Sequence, residues 1–170
     1  MEKIIVEFPK GEYVNEDALE NVIAYILRLN KMELVGGHGC YVTNPWDMAY
    51  QFSKVQQFYS KDGGKQVIHM VVTIDQYLLS AIEVKELAYM ILEYFGGNRQ
   101  IVFAVHDDKR NLHIHFAINP VAFTNGEYCA FFDQREIKKY AEKCIDVLID
   151  RRWFGKEREI NLDNTQSVGL

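Results

Sequence analysis

Three of the chain's five histidines fall in one short stretch, His106 to Asn119, which reads HDDKRNLHIHFAIN. Apolar runs lie on either side of its polar centre: Ile101-Val102-Phe103-Ala104-Val105 before, Leu112 and Ile114 through Ile118 after. Their β-branched and aromatic members favour strands. Asp107-Asp108-Lys109-Arg110-Asn111 is a polar turn, so the stretch predicts a β-hairpin with a longer loop. Successive strand side chains point to opposite faces, which puts His113 and His115, separated only by Ile114, on one face. If the register pairs position 106 with position 113, His106 faces His113 with Cβ atoms about 5 Å apart. Three imidazoles then converge on one point. Each buried ring needs a polar partner. Three neutral imidazoles suit a divalent metal, and a three-histidine site with an open position is a catalytic pattern. Hydrogen-bonded, half-buried histidines are the plainer alternative.

The chain has 170 residues, 48% of them apolar, enough for one domain with a proper core. We expect residues 1–160 to form that domain and 161–170 a polar, frayed tail. No run approaches the roughly 18 apolar residues of a membrane span, and the N-terminus carries no apolar signal segment. Cys40, Cys129 and Cys144 are odd in number and lack C-x-x-C spacing, so they read as free thiols in a reducing, cytoplasmic setting. The net charge is −5, unlike most proteins that neutralise nucleic-acid phosphates. The positive residues cluster in part, at Lys109-Arg110, at Lys138, Lys139 and Lys143, and at Arg151-Arg152.

Along the chain, residues 3–8 read as a strand ended by Pro9-Lys10-Gly11. Leu19, Val22, Ile23, Ile26 and Leu29 recur on one helical face, giving a helix from a candidate cap at Asn15 to about Lys31. Val35-Gly36-Gly37-His38-Gly39 reads as a mobile loop. Asn44 and Pro45 open a second helix, rich in aromatics (Trp46, Tyr50, Phe52, Phe58). It is either a core-packing helix or, in part, a base-stacking surface. Residues 66–74 alternate as a strand with His69 near the middle, read as a structural or supporting residue and not a ligand. Residues 82–95 form an amphipathic helix closed by Gly96-Gly97. After the hairpin come a tight turn at Thr124-Asn125-Gly126-Glu127 and a last helix from Asp133 to about Arg152. The order β-α-α-β-α-β-β-α predicts an α+β fold with a mostly antiparallel sheet and helices on one or both faces.

The hairpin resembles motif III of the relaxases, the plasmid and integrative-element mobilisation nucleases of the HUH endonuclease superfamily. That pattern is close to H-x-D-x-x-x-x-H-x-H-x-x-x-N. Here it is met by His106, Asp108, His113-Ile114-His115 and Asn119, with Ile114 as the hydrophobe. A match of this length is far more specific than a lone His-x-His. Val102-Phe103-Ala104-Val105 and Pro120 also look like the family.

The resemblance implies a palm-like fold with a central antiparallel sheet. It also implies a divalent metal on His106, His113 and His115: Mg2+ or Mn2+, with Zn2+ suited as well. The implied activity is nicking of single-stranded DNA at a transfer origin through a covalent 5′-phosphotyrosine, with accessory DNA-binding and coupling proteins as partners. Similar relaxases carry their nucleophile on an N-terminal helix, as Tyr-Ile followed by basic residues. Tyr25-Ile26, with Arg28 and Lys31, occupies that place. Read from its helix alone, Tyr25 is an aromatic at the edge of the core stripe. Tyr13 and Tyr41 compete with it, and His38 enters because some branches use histidine. Asp108 either fixes a ligand tautomer, assists the phenol or shapes the turn. Asn119 either positions a ligand histidine or DNA backbone or caps its strand. Lys109 and Arg110 are candidate DNA contacts. Two other readings stay open: another HUH enzyme, such as a replication initiator or transposase, and a non-catalytic DNA-binding or protein-interaction module.

Overall fold

The computed structural model describes residues 3–15, 17–27, 34–75, 78–107 and 111–166, with side chains as far as 155. Five strands form one sheet: β1 (Ile4–Glu7), β2 (Val35–His38), β3 (Ile68–Asp75), β4 (Arg99–Asp107) and β5 (Asn111–Ala122). Their order is β1-β3-β5-β4-β2 and every neighbouring pair is antiparallel. Four helices cover the sheet: α1 (Ala18–Leu27), α2 (Pro45–Phe58), α3 (Ala81–Leu92) and α4 (Gln134–Gln166). The fold is α+β, as expected, with two helices on each face.

Side-chain alternation divides the interior into two cores. Ile114, Phe116 and Ile118 of β5 join Met70, Val72 and Ile74 of β3 and Phe103 of β4 beneath α3 and α4. The other face is thinner. Val102, Ala104 and Ala117 meet Val22, Ile23 and Ile26 of α1 and Met48 and Phe52 of α2. The helix starts follow their sequence signals. The Asn44 side chain accepts from Asp47 N–H at 2.9 Å, with Pro45 in the first turn. Asp133 Oδ1 accepts from Arg135 N–H at 2.8 Å at the head of α4.

β2 departs from the sequence reading. The stretch expected as a mobile loop is an edge strand paired with β4, Val35 opposite Ala104 and His38 opposite Ile101. Glycine is weak in strands, but tertiary contact decides here. A Cβ on Gly36 would run into the Phe103 and Tyr89 rings, and one on Gly37 would sit 2.7 Å from the Ile101 carbonyl oxygen. Glycine lets the edge strand lie flat against β4. α4 also runs past the expected end near Arg152, to Gln166.

Replacing Gly37 by Ala should therefore lower stability by about 1–3 kcal/mol, the usual cost of forcing atoms into a filled site. Gly63→Ala, where nothing lies within 4 Å of the added carbon, should stay within about 0.5 kcal/mol. Urea unfolding of the two variants checks the contrast.

Candidate active site

Four of the five histidines stand on the α1/α2 face of the sheet. His106 is paired directly with His113 across the hairpin, as the spacing predicts, and His113 lies opposite Thr73 of β3. His115 sits between Ala104 and Val71, and His69 lies opposite Ala117. Small residues beside large rings give the imidazoles room to approach each other over the sheet. The ring centre of His115 is 4.3 Å from that of His106, 5.5 Å from His69 and 6.3 Å from His113.

Hydrogen bonds help to orient these rings. His106 Nε2–H donates to the Ile26 carbonyl at 2.7 Å, tying the hairpin to the last turn of α1. His69 Nε2 and His115 Nδ1 share a hydrogen bond at 3.2 Å. His69 and His115 are 6% and 8% exposed. Burial, helped by the charge of His106, holds the His69 pKa down to about 4. Burial, helped by His106, His69 and His113, holds that of His115 to about 3. Both rings are therefore neutral near pH 7, the form that ligates a metal.

Tyr25 reaches the same place from α1. It is 45% exposed, and its ring meets His115 and His69 edge-on at 5.8 and 6.0 Å. Beside it opens a cavity of about 510 Å3 lined by Tyr13, Asn21, Val22, Tyr25, His69 and His115, among others. Tyr13 also lines this cavity. Its phenol pKa is raised, first by burial and then by Tyr25. Tyr41 stands 82% exposed on the chain leading into α2.

The donor set fits a divalent cation in kind, as neutral imidazoles on one face. The rings share that face without meeting at a single point. Among the described residues no three histidine, cysteine or acidic side chains are placed to hold a metal. His106 Nε2 and His115 Nδ1 are engaged by Ile26 and His69, and His106, His113 and His115 are the residues that would hold a cation.

Two candidates are not brought to this cluster. His38 lies opposite Ile101, on the α3/α4 face, with Nε2 bonded to the Gly97 carbonyl at 2.8 Å. Asn119 is fully buried four residues beyond His115. Its amide donates to Gln100 Oε1 at 2.8 Å and the Phe52 carbonyl at 3.2 Å, and accepts from Gln56 at 3.1 Å and Val121 N–H at 3.0 Å. It fastens α2 to the sheet. Asp108, Lys109, Arg110, Arg28 and Lys31 lie outside the described residues. His69, read from the sequence as a structural or supporting residue and not a ligand, is hydrogen-bonded to His115. The local signal was its alternation with Val71 and Thr73, but only the pairing of β3 with β5 sets it beside His115.

The family profile described as "Relaxase: MobA/VirD2-like, nuclease domain" matches residues 25–148. That span begins at Tyr25 and contains the whole hairpin. No curated protein matches the chain. The paired histidines on one sheet face and a profile covering most of the chain agree, and the protein belongs to the relaxase family as a MobA/VirD2-like DNA-nicking nuclease domain.

Proposed function

We propose that this chain nicks one DNA strand at the transfer origin of a plasmid or integrative element, by transesterification onto Tyr25. The observation that carries the reading is the exposed Tyr25 phenol packed against His115, with His106 and His113 on the same face and a cavity alongside. A phenol of pKa about 10 is mostly protonated at pH 7 and needs help to attack a phosphodiester. In the step, Tyr25 Oη forms a bond to phosphorus as the bond to the 3′ oxygen breaks. The phenol gives up its proton, and the 3′ oxygen leaves and is protonated. A 5′-phosphotyrosine remains, one ester exchanged for another, so the step runs backwards to rejoin the strand. When bound by His106, His113 and His115, Mg2+ or Mn2+ supplies Lewis-acid polarisation of the scissile phosphate, and Zn2+ also suits the ligands.

The chain's own residues do the rest. The His69–His115 hydrogen bond fixes the orientation of a ligand ring, a supporting role that commonly governs metal affinity. The Ile26 carbonyl does the same for His106. Asp108, two residues past His106, is assigned to an imidazole N–H or to the phenol proton. Lys109, Arg110, Arg28 and Lys31 are assigned to DNA phosphates. The partners are single-stranded origin DNA with accessory DNA-binding and coupling proteins, and the setting is the cytoplasm. Among the described residues no helix is long and apolar enough to cross a membrane.

Incubation with Mn2+ and single-stranded origin-region DNA should give a covalent adduct by mass, mapping to Tyr25. Tyr25→Phe should lose the adduct at least a hundredfold while DNA affinity changes less than threefold. An adduct on another residue would point to a different HUH enzyme, and binding without any adduct to a non-catalytic module. Strong chelation should stop nicking, and undiminished activity under chelation would remove the metal's role. His113→Ala should weaken Mn2+ binding about 10–100-fold or more, read by calorimetry.

Stability should also depend on pH. The native pKa values of about 4 and about 3 for His69 and His115 lie below the unfolded value of about 6.5. Between these limits the unfolded chain binds protons that the native chain refuses. These two groups should thus cost stability as pH falls below about 6.5, each on the order of 1 kcal/mol per pH unit, and have no effect above it. Urea midpoints at neutral and mildly acid pH should separate for the parent and draw together in His69→Asn.

A further inference from the structure

α2 buries Met48, Ala49, Phe52 and Gln56 towards the sheet. On its opposite side Trp46, Tyr50 and Lys54 follow one another at four-residue spacing, one above the other. Trp46 is 62% exposed and Tyr50 48%. Their rings lie 5.8 Å apart and within 13° of parallel. Lys54 Nζ stands 4.8 Å from the Tyr50 ring centre. The one acidic side chain of α2, Asp47, is turned to local use. Its carboxylate accepts from Thr43 Oγ1 at 2.5 Å and from Gln51 Nε2 at 3.1 Å.

A helix that only needed to pack would leave this side polar. Two parallel ring faces followed by a cation are a chemistry that takes stacked bases and their phosphates. Lys54 favours a nucleic acid over an apolar protein contact, since a cation stands on the Tyr50 ring while Phe58, 79% exposed, continues the same side one turn further on. Position favours it too. α2 packs against α1 in the layer that covers the histidine face, and neighbouring helix axes are about 8–10 Å apart. The helix that carries the stripe is thus the direct neighbour of the helix that carries Tyr25.

We propose that Trp46, Tyr50 and Lys54 form a stacking platform for the single-stranded DNA that extends from Tyr25. The choice of DNA as occupant rests on the nickase reading above, but binding is measured without cleavage.

In a Trp153→Phe background, fluorescence reports Trp46 alone, since the chain has two tryptophans. Oligodeoxythymidylate of about 12 nucleotides, within single-strand site sizes, should quench it. Trp46→Ala and Tyr50→Ala should each weaken binding of a labelled oligomer by about tenfold, as expected for one lost base stack, with circular dichroism unchanged. Trp46→Phe should restore most of the affinity, because stacking needs only the ring. Lys54→Ala should lower the slope of log affinity against log salt by about 0.7. Absence of quenching, or unchanged affinity in both alanine variants, overturns the platform and leaves the stripe as a protein contact. Quenching without any covalent adduct upholds the platform while the nickase reading falls. An adduct without quenching does the reverse.

Discussion

β5 is hydrogen-bonded to β3 on one edge and to β4 on the other, and the site depends on that double pairing. With both neighbours in register, the face on which each β5 side chain emerges is fixed. A slip of one residue would turn His113 and His115 into the α3/α4 core and drive Ile114, Phe116 and Ile118 out of it. Those three side chains are fully buried, and each contributes about 1.5–3 kcal/mol through burial. Apolar packing on one side of the sheet is thus what holds the imidazoles on the other. The residues that keep the histidines in place do not touch them.

On the histidine side, volume matters more than attraction. Ala104 and Ala117 lie across from His115 and His69, and larger side chains there would push the rings apart. α1 closes over the gap, with Val22, Ile23 and Ile26 packed against the thin core. That packing sets where Tyr25 emerges. The buried Asn119 amide does the same for α2 through Gln56, Gln100 and the Phe52 carbonyl. Both helices of this layer are therefore fixed to the strands that carry the histidines, α1 by its apolar face and α2 by Met48 and Phe52 together with this polar knot.

How much of this could be read from the chain follows from how local each contact is. The hairpin register was legible because a polar turn joins two apolar runs, so pairing of 106 with 113 is a short-range consequence. The α1 stripe and the Asn44-Pro45 start are likewise local signals. β2 was not legible, because its two glycines answer to Phe103, Tyr89 and the Ile101 carbonyl, all remote in sequence. The place of His69 was hidden for the same reason. It and His115 are 46 positions apart, and only the β3–β5 register brings them together. For Asn119 the sequence left a place at the site and a structural place both open. Four residues of strand are about 13 Å, and the structure shows its amide held by Gln56, Gln100 and the Phe52 carbonyl.

The acidic charge of the chain poses less of a difficulty for a DNA enzyme once the imidazoles are considered together. Burial and mutual repulsion hold His69 and His115 well below the ordinary histidine range. A proton on either would sit in a buried site beside another imidazole, at a cost to which burial and like charge both contribute. A single divalent cation on the proposed ligands avoids that cost. Burial first, and crowding second, thus keep His115, one of the proposed ligands, in the neutral form that a metal would need. On that reading the attraction for a phosphate is concentrated where Tyr25 stands, and the net charge of −5, spread over the remaining surface, says little about the affinity of the site itself.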